Sequence, residues 1–174
     1  MKHEDLTSLA VESTMHKKLS RTNFLVQAAL IGAFYTAITY AMAPLSYGPM
    51  QVRVSEALTV LPYFTPAAIP GVFIGCVISN IISPYGLIDL VCGSLATLLA
   101  AVGTYALRGK RELAPLPPVL INALVIGAML YYAYGVNASL WVNVLWVGCG
   151  QLIACYMVGY PLLRILEKQR DIFE

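Results

Sequence analysis

Seven side chains in a very apolar chain stand out for the chemistry they offer: Arg53, Glu56, Asn80, Asp89, Trp141, Asn143 and Gln151. Carboxylates accept paired N–H bonds, a guanidinium donates in a fork, amides both donate and accept, and an indole stacks on a flat ring. Such a set suits holding a polar ligand better than breaking bonds. His3 and His16, the only histidines, precede the first apolar run, so no apolar segment carries an imidazole for a zinc site or a Ser-His pair. Cys76, Cys92, Cys149 and Cys155 form no Cys-x-x-Cys and read as small packing residues. An enzyme is not expected, and no cofactor or metal is called for.

These groups have to be positioned by a membrane bundle. Of 174 residues, 59% are hydrophobic and 11% charged, and mean hydropathy is +0.72. A spanning helix needs ~20 mostly apolar residues, so this stock suffices for five or six and leaves too little for a second folded domain. A net charge of +2 gives no footprint for nucleic acid. The chain also has no Gly-x-x-x-x-Gly-Lys-Ser/Thr loop, so any coupling to ATP requires a partner.

The first span is placed at 23–43, ahead of an irregular stretch from Pro44 through Gly48-Pro49. Lys17, Lys18 and Arg21 before it, and Ala41-Met42-Ala43 at its end, imitate a secretory signal; the apolar region is too long for one and reads as an uncleaved helix. From Ala57 to Ile88 there is no charge, but Pro62, Pro66 and Pro70 interrupt the run. The basic residues decide how often it crosses. They fall as Lys2, Lys17, Lys18 and Arg21, then Arg108, Lys110 and Arg111, then Arg164, Lys168 and Arg170, with Arg53 left over. Keeping the clusters on the cytoplasmic side requires an even number of crossings between Arg21 and Arg108. The proline-broken region therefore crosses twice, at about 55–65 and 67–83, turning inside at Thr65-Pro66. Spans at 90–107, 118–134 and 140–163 complete an all-α integral membrane protein of six helices with both termini cytoplasmic. Residues 1–22 form a cytoplasmic or interfacial lead-in, 23–166 the membrane domain and 167–174 a cytoplasmic tail.

With directions assigned, nearly all the polar outliers lie in the outer half, which points to a pocket open to the outside. Asn122 is the exception, near the cytoplasmic start of span five, where an interhelical hydrogen bond is expected. Bland readings stand beside this one. Arg53 and Glu56, three apart, can form an ion pair, with Ser55 capping the helix and Glu56 complementing its dipole. Asp89 can be a headgroup-level charge, and Trp141 and Trp146 part of an aromatic belt. Ala29, Ala33, Ala37 and Ala41, with Gly32 beside them, give span one a smooth face for packing inside the bundle or docking another membrane subunit.

Gln51-Val52-Arg53-Val54-Ser55-Glu56-Ala57-Leu58, followed by Leu61-Pro62, resembles the signature of the QueT family of queuosine-precursor transporters. Ser83-Pro84-Tyr85-Gly86-Leu87-Ile88-Asp89, Gly93-Ser94-Leu95-Ala96-Thr97-Leu98 and Pro118-Val119-Leu120-Ile121-Asn122 are similar to it as well. The resemblance implies the substrate-binding (S) component of an energy-coupling-factor (ECF) importer in a bacterial-type plasma membrane. Its implied partners are a transmembrane coupling subunit, two ATPases, membrane lipid and a deazaguanine-type small molecule such as pre-queuosine-1. Arg53, Ser55, Glu56 and Asp89 fall in its motifs; at Gln151 it leads one to expect a glutamate. A guanine-like edge suits these residues, since Glu56 or Asp89 can accept its adjacent N–H groups and Asn80, Asn143 or Gln151 can address its carbonyl and ring nitrogens. The alternatives are an S component for another vitamin-like molecule and a membrane scaffold without substrate.

Overall fold

A computed structural model describes residues 3–47, 52–83, 85–136 and 138–169, with side chains from residue 20 onward. Gly48-Pro49, Gln51, Pro84, Asn137, Lys2, Arg170 and the rest of the 170–174 tail lie outside the described residues, as do the side chains of Lys17 and Lys18. The described chain is helical: α1 (His3–Ala41), α2 (Ala43–Ser46), a 3-10 segment (Val54–Tyr63), α3 (Ala68–Ile81), α4 (Gly86–Ala106), α5 (Leu116–Tyr132) and α6 (Leu140–Glu167). Four stretches are long and apolar enough to cross a membrane: Ser20–Ala41, Gly86–Ala106, Arg111–Tyr132 and Leu140–Glu167. α4 and α6 each contain a π-helical stretch, Asp89–Gly93 and Ile153–Gly159.

Paired contacts give the directions. Thr36 and Tyr40 of α1 donate to the carbonyls of Gly75 and Ile78, and a Cβ on Gly71 would meet the Ala28 carbonyl, so α1 and α3 run parallel. The 3-10 segment returns between them, from Thr39–Ser55 at one end to Gln27–Thr65 at the other. Beyond α3 each helix reverses against its predecessor. Asn80 meets Ser94 and Cys76 meets Thr97; Gly103 packs on Pro117; Gly127 packs on Val144 and Ala123 on Gly148. Gly135, at φ +60°, makes the left-handed turn after α5 that a side chain would strain.

The first segment after the loop is a 3-10 helix rather than the short α-helix its span length suggests. Pro62 lacks an N–H for the α pattern. Ten residues also reach ~20 Å at a 3-10 rise of ~2.0 Å, against ~15 Å in an α-helix. Both this segment and the 14-residue α3 are shorter than the ~30 Å hydrocarbon layer. The 3-10 segment buries Ser55, Glu56, Ala57, Thr59, Val60, Leu61 and Pro62, so its backbone meets protein rather than lipid.

Gly32, Gly71 and Gly75 bring α1 and α3 into backbone contact; a Cβ on Gly32 would lie 3.0 Å from the Gly71 carbonyl and one on Gly75 2.8 Å from that of Gly32. Gly32 thus faces inward, while Ala29, Ala33 and Ala37 remain exposed on the other side of α1. The smooth face expected of the two together is divided between bundle and exterior. Leu25, Phe34, Leu99, Leu124, Leu145 and Met157 are each more than half exposed, whereas Arg53, Glu56, Asn80, Asp89, Asn122, Asn143 and Gln151 are buried. An apolar exterior around a polar interior reverses the soluble pattern and matches a lipid-facing bundle.

Candidate functional site

Glu56 sits one turn into the 3-10 segment and is 1% exposed. One carboxylate oxygen accepts from the Tyr35 hydroxyl at 2.5 Å and from Thr97 at 3.1 Å; the other accepts from the Asn122 amide at 3.2 Å. Donors from α1, α4 and α5 therefore converge on a group held by a fourth element. The Glu56 backbone carbonyl accepts from Thr59 within the segment and from the Cys155 thiol of α6. Ser55 caps nothing here; its hydroxyl accepts from Thr39 at 2.7 Å.

Arg53 does not pair with Glu56, although the two are three apart in sequence. Its guanidinium instead reaches the Asp89 carboxylate at 3.0 Å, with side-chain exposures of 6% and 1%. Arg53 precedes the 3-10 segment in extended backbone, and its side chain runs to α4, where Asp89 supplies the opposing charge. Ser83 donates to the same Asp89 oxygen at 2.6 Å, Asn80 donates to the Asp89 backbone carbonyl at 3.1 Å, and the Tyr47 ring lies under the guanidinium at 5.4 Å. The π-helical stretch brings Gly93 against the carboxylate, where an added Cβ would lie 2.8 Å from Asp89 Oδ1. π-Helical stretches of this kind often accompany functional positions in helices.

Between Glu56 and Arg53 lies a cavity lined by both of them and by Gly93, Thr97, Asn122, Ile126 and Gln151. In this conformation it has room for about one water molecule. Since Arg53 is neutralised by Asp89, Glu56 is the surplus negative group. The lining complements a guest rich in N–H donors or carrying a positive charge.

Of the seven residues singled out by type and spacing, Arg53, Glu56 and Gln151 line the cavity, and Asp89 and Asn80 stand directly behind Arg53. Asn143 is buried elsewhere and donates to the Ala138 carbonyl at 3.4 Å. Trp141 is 69% exposed and Trp146 43%, so neither indole faces the cavity and both suit the belt reading. Asn122 does form the interhelical bond expected of it, but to Glu56, which makes it part of the site. Residue type alone does not single out Tyr35, Thr97 or Gly93. Thr97, Gly93 and Asn122 all lay inside the motif blocks, which was the one signal pointing to them.

The model of the family described as QueT transporter matches residues 25–168, a stretch that holds every residue of this site. The chain belongs to the QueT transporter family. That family is one of transporters, not of enzymes, and with its long apolar helices the chain is a multi-pass protein of the plasma membrane. Among curated proteins, one from Lactococcus lactis subsp. cremoris named Queuosine precursor transporter QueT is 39% identical over 84 residues. The aligned stretch covers 47% of this QueT-family chain and 49% of that relative, so the match spans about half of each. No solved structure matches the chain.

Proposed function

We propose that this chain is the substrate-binding membrane subunit of an ATP-driven ECF importer and that it captures a queuosine precursor, a deazaguanine such as pre-queuosine-1, from outside. Glu56 carries the reading. It is a carboxylate without an ion pair among the described residues, facing a cavity whose other polar groups are amides, a hydroxyl and a guanidinium. A deazaguanine presents adjacent N–H donors to such a group, and an aminomethyl ammonium would meet its charge. Calorimetric titration of the purified protein with deazaguanines and with vitamins tests it: micromolar or tighter binding of the deazaguanine alone is expected, and binding of none of them would favour a scaffold.

In this reading the six alternating segments, the 3-10 segment and α3 included, are six crossings. Residues 23–166 form the membrane domain, with 1–22 and 167–174 on the cytoplasmic side. The end holding Arg108, Lys110 and Arg111 is then inside and the end holding Tyr47 outside, as the basic clusters favour. Single cysteines at 47 and 110, in a background lacking the native four, test this. An impermeant reagent should label only 47 in intact cells, and labelling at 110 would remove the topology.

Energy reaches the chain through a transmembrane coupling subunit and two ATPases, since the sequence has no phosphate-cradling loop. The exposed Ala29, Ala33 and Ala37 stripe is the face offered to the coupling subunit, where small residues let another helix approach closely. Ala33→Trp should abolish uptake in cells expressing the partners while the purified variant keeps its affinity.

A further inference from the structure

Two buried atoms of residues that line the cavity have no hydrogen-bond partner among the described residues: Arg53 Nε and Asn122 Oδ1. Their polarities are opposite and fixed. Asn122 faces a carboxylate, which only accepts, so its Nδ2 points at Glu56 and its oxygen is left as a free acceptor. In Arg53 one terminal nitrogen is held by Asp89 and the other by the Cys76 sulfur, leaving Nε–H as a free donor. Each buried polar atom left unpaired costs free energy, so a guest that pairs both gains selectively over one that does not.

We infer that Arg53 Nε and Asn122 Oδ1 together read a lactam edge, a ring N–H beside a ring C=O, on the transported molecule; this rests on the substrate reading above. The ring N–H donates to Asn122 Oδ1 and the ring carbonyl accepts from Arg53 Nε–H. Glu56 adds the third contact. A carboxylate has about four acceptor positions, and Tyr35, Thr97 and Asn122 use three of them, so one remains for an exocyclic amino group next to the lactam. Gly93 and Ile126 supply walls without polar atoms in their side chains, which suits a flat ring. The cavity must widen to take a two-ring base, and the lactam contacts form as it does.

The site thereby separates a 6-oxo ring from a 6-amino ring of the same size. In the amino compound the ring nitrogen becomes an acceptor facing Asn122 Oδ1 and the substituent a donor facing Arg53 Nε–H, so both contacts are lost and both protein atoms stay unpaired. The test is titration of the purified full chain with 7-deazaguanine and with 2,6-diamino-7-deazapurine, in the wild type and in Asn122→Leu. The wild type should bind the oxo base at least ~30-fold more tightly. Asn122→Leu should bind the oxo base more weakly and narrow the ratio to about threefold, with thermal unfolding reporting on its fold. Equal binding of the two bases by the wild type would overturn this inference and leave the substrate reading standing. A preference that persists in folded Asn122→Leu would remove Asn122 from the recognition. Failure of both bases to bind would bring down the substrate reading and this inference with it. The wild-type comparison decides by itself where the variant does not fold.

Discussion

Two ion pairs, almost equal in length, occupy opposite ends of the bundle. Arg53–Asp89 spans 3.0 Å and is sealed, with exposures of 6% and 1%; Arg111–Glu167 spans 3.2 Å and is open, with exposures of 39% and 35%. Distance does not distinguish them, but solvent does. In the open pair, water and salt screen both charges and each side chain gives up rotamer freedom to hold the other. In the sealed pair neither charge has water to fall back on, so each depends on its partner and on the Ser83 hydroxyl, the Tyr47 ring and the Asn80 network around it. A charge pair at one end of this molecule is therefore part of the site's architecture, and at the other a surface contact between the Arg111–Leu113 turn and the end of α6.

The largest expected effect follows from removing one sealed partner. Asp89→Ala should destabilise the purified protein by ~3–5 kcal/mol, because it strands the Arg53 guanidinium in a dry interior. Replacing both groups, as in Arg53→Leu with Asp89→Leu, should recover most of that loss in a denaturant or thermal series. If Asp89→Ala melts like the wild type, water reaches Arg53 and the contrast between the two ends collapses.

Glu56 sharpens the comparison from another side, since it is as buried as Asp89 yet held by neutral donors. Glu56→Gln keeps the size and much of the bonding, so the fold should survive. The purified variant should lose ~1.5 to 3 kcal/mol of ligand affinity, or roughly tenfold to more than a hundredfold in Kd, by calorimetry. Unchanged affinity in a folded variant would make Glu56 a structural tie between the 3-10 segment and its neighbours.

Much of this arrangement could be read from the sequence, and what was missed has physical causes. The parity of the basic clusters calls for the proline-broken region to cross twice; the structure holds two antiparallel segments there, the 3-10 segment and α3, both shorter than the four stretches long enough to span. Charge clusters lie in loops, and their side is set by the whole chain. Pairing inside the bundle was harder. Arg53 and Glu56 looked like partners because sequence spacing reports neighbours along one helix, whereas Asp89 comes from a different helix 36 residues away. Depth counted along each span separately sets Asn122 apart from the others. The 3-10 segment begins well inside the bundle, which lowers Glu56 to the level of Tyr35, Thr97 and Asn122. Tyr35 and Thr97 gave no signal by type, since single hydroxyls are ordinary in membrane helices; only a folded neighbour turns them into donors.

A smaller effect is expected at Gly93. An alanine there places a methyl 2.8 Å from Asp89 Oδ1 and 3.1 Å from Asn80 Nδ2, so one of the two must shift. The cost should be ~1–2 kcal/mol, as for other tight insertions in packed interiors. Its origin can be checked by a double-mutant cycle. With Asp89→Ala already in place the carboxylate is gone, and Gly93→Ala should then cost much less than in the wild type. Strict additivity would mean that the alanine strains the backbone of the π-helical stretch instead of the buried pair.

The smallest effect belongs to the open pair, and it is the control that gives the others their meaning. Arg111→Gln removes a cation whose partner is already a third exposed, so Glu167 regains water as it loses the guanidinium. The expected change in Tm is no more than a degree or two at physiological ionic strength. Raising the salt should weaken the wild-type contact in the same direction as the substitution, because exposed charges are screened within about 10 Å. The sealed pair should respond to salt hardly at all. A drop for Arg111→Gln comparable with that for Asp89→Ala would mean that the contact anchors the Arg111–Leu113 turn to α6 more firmly than its exposure implies. Burial would then not be what separates the two ends, and the hydrogen bond from the Tyr156 hydroxyl to the Glu112 carbonyl would be the place to look for the missing stabilisation.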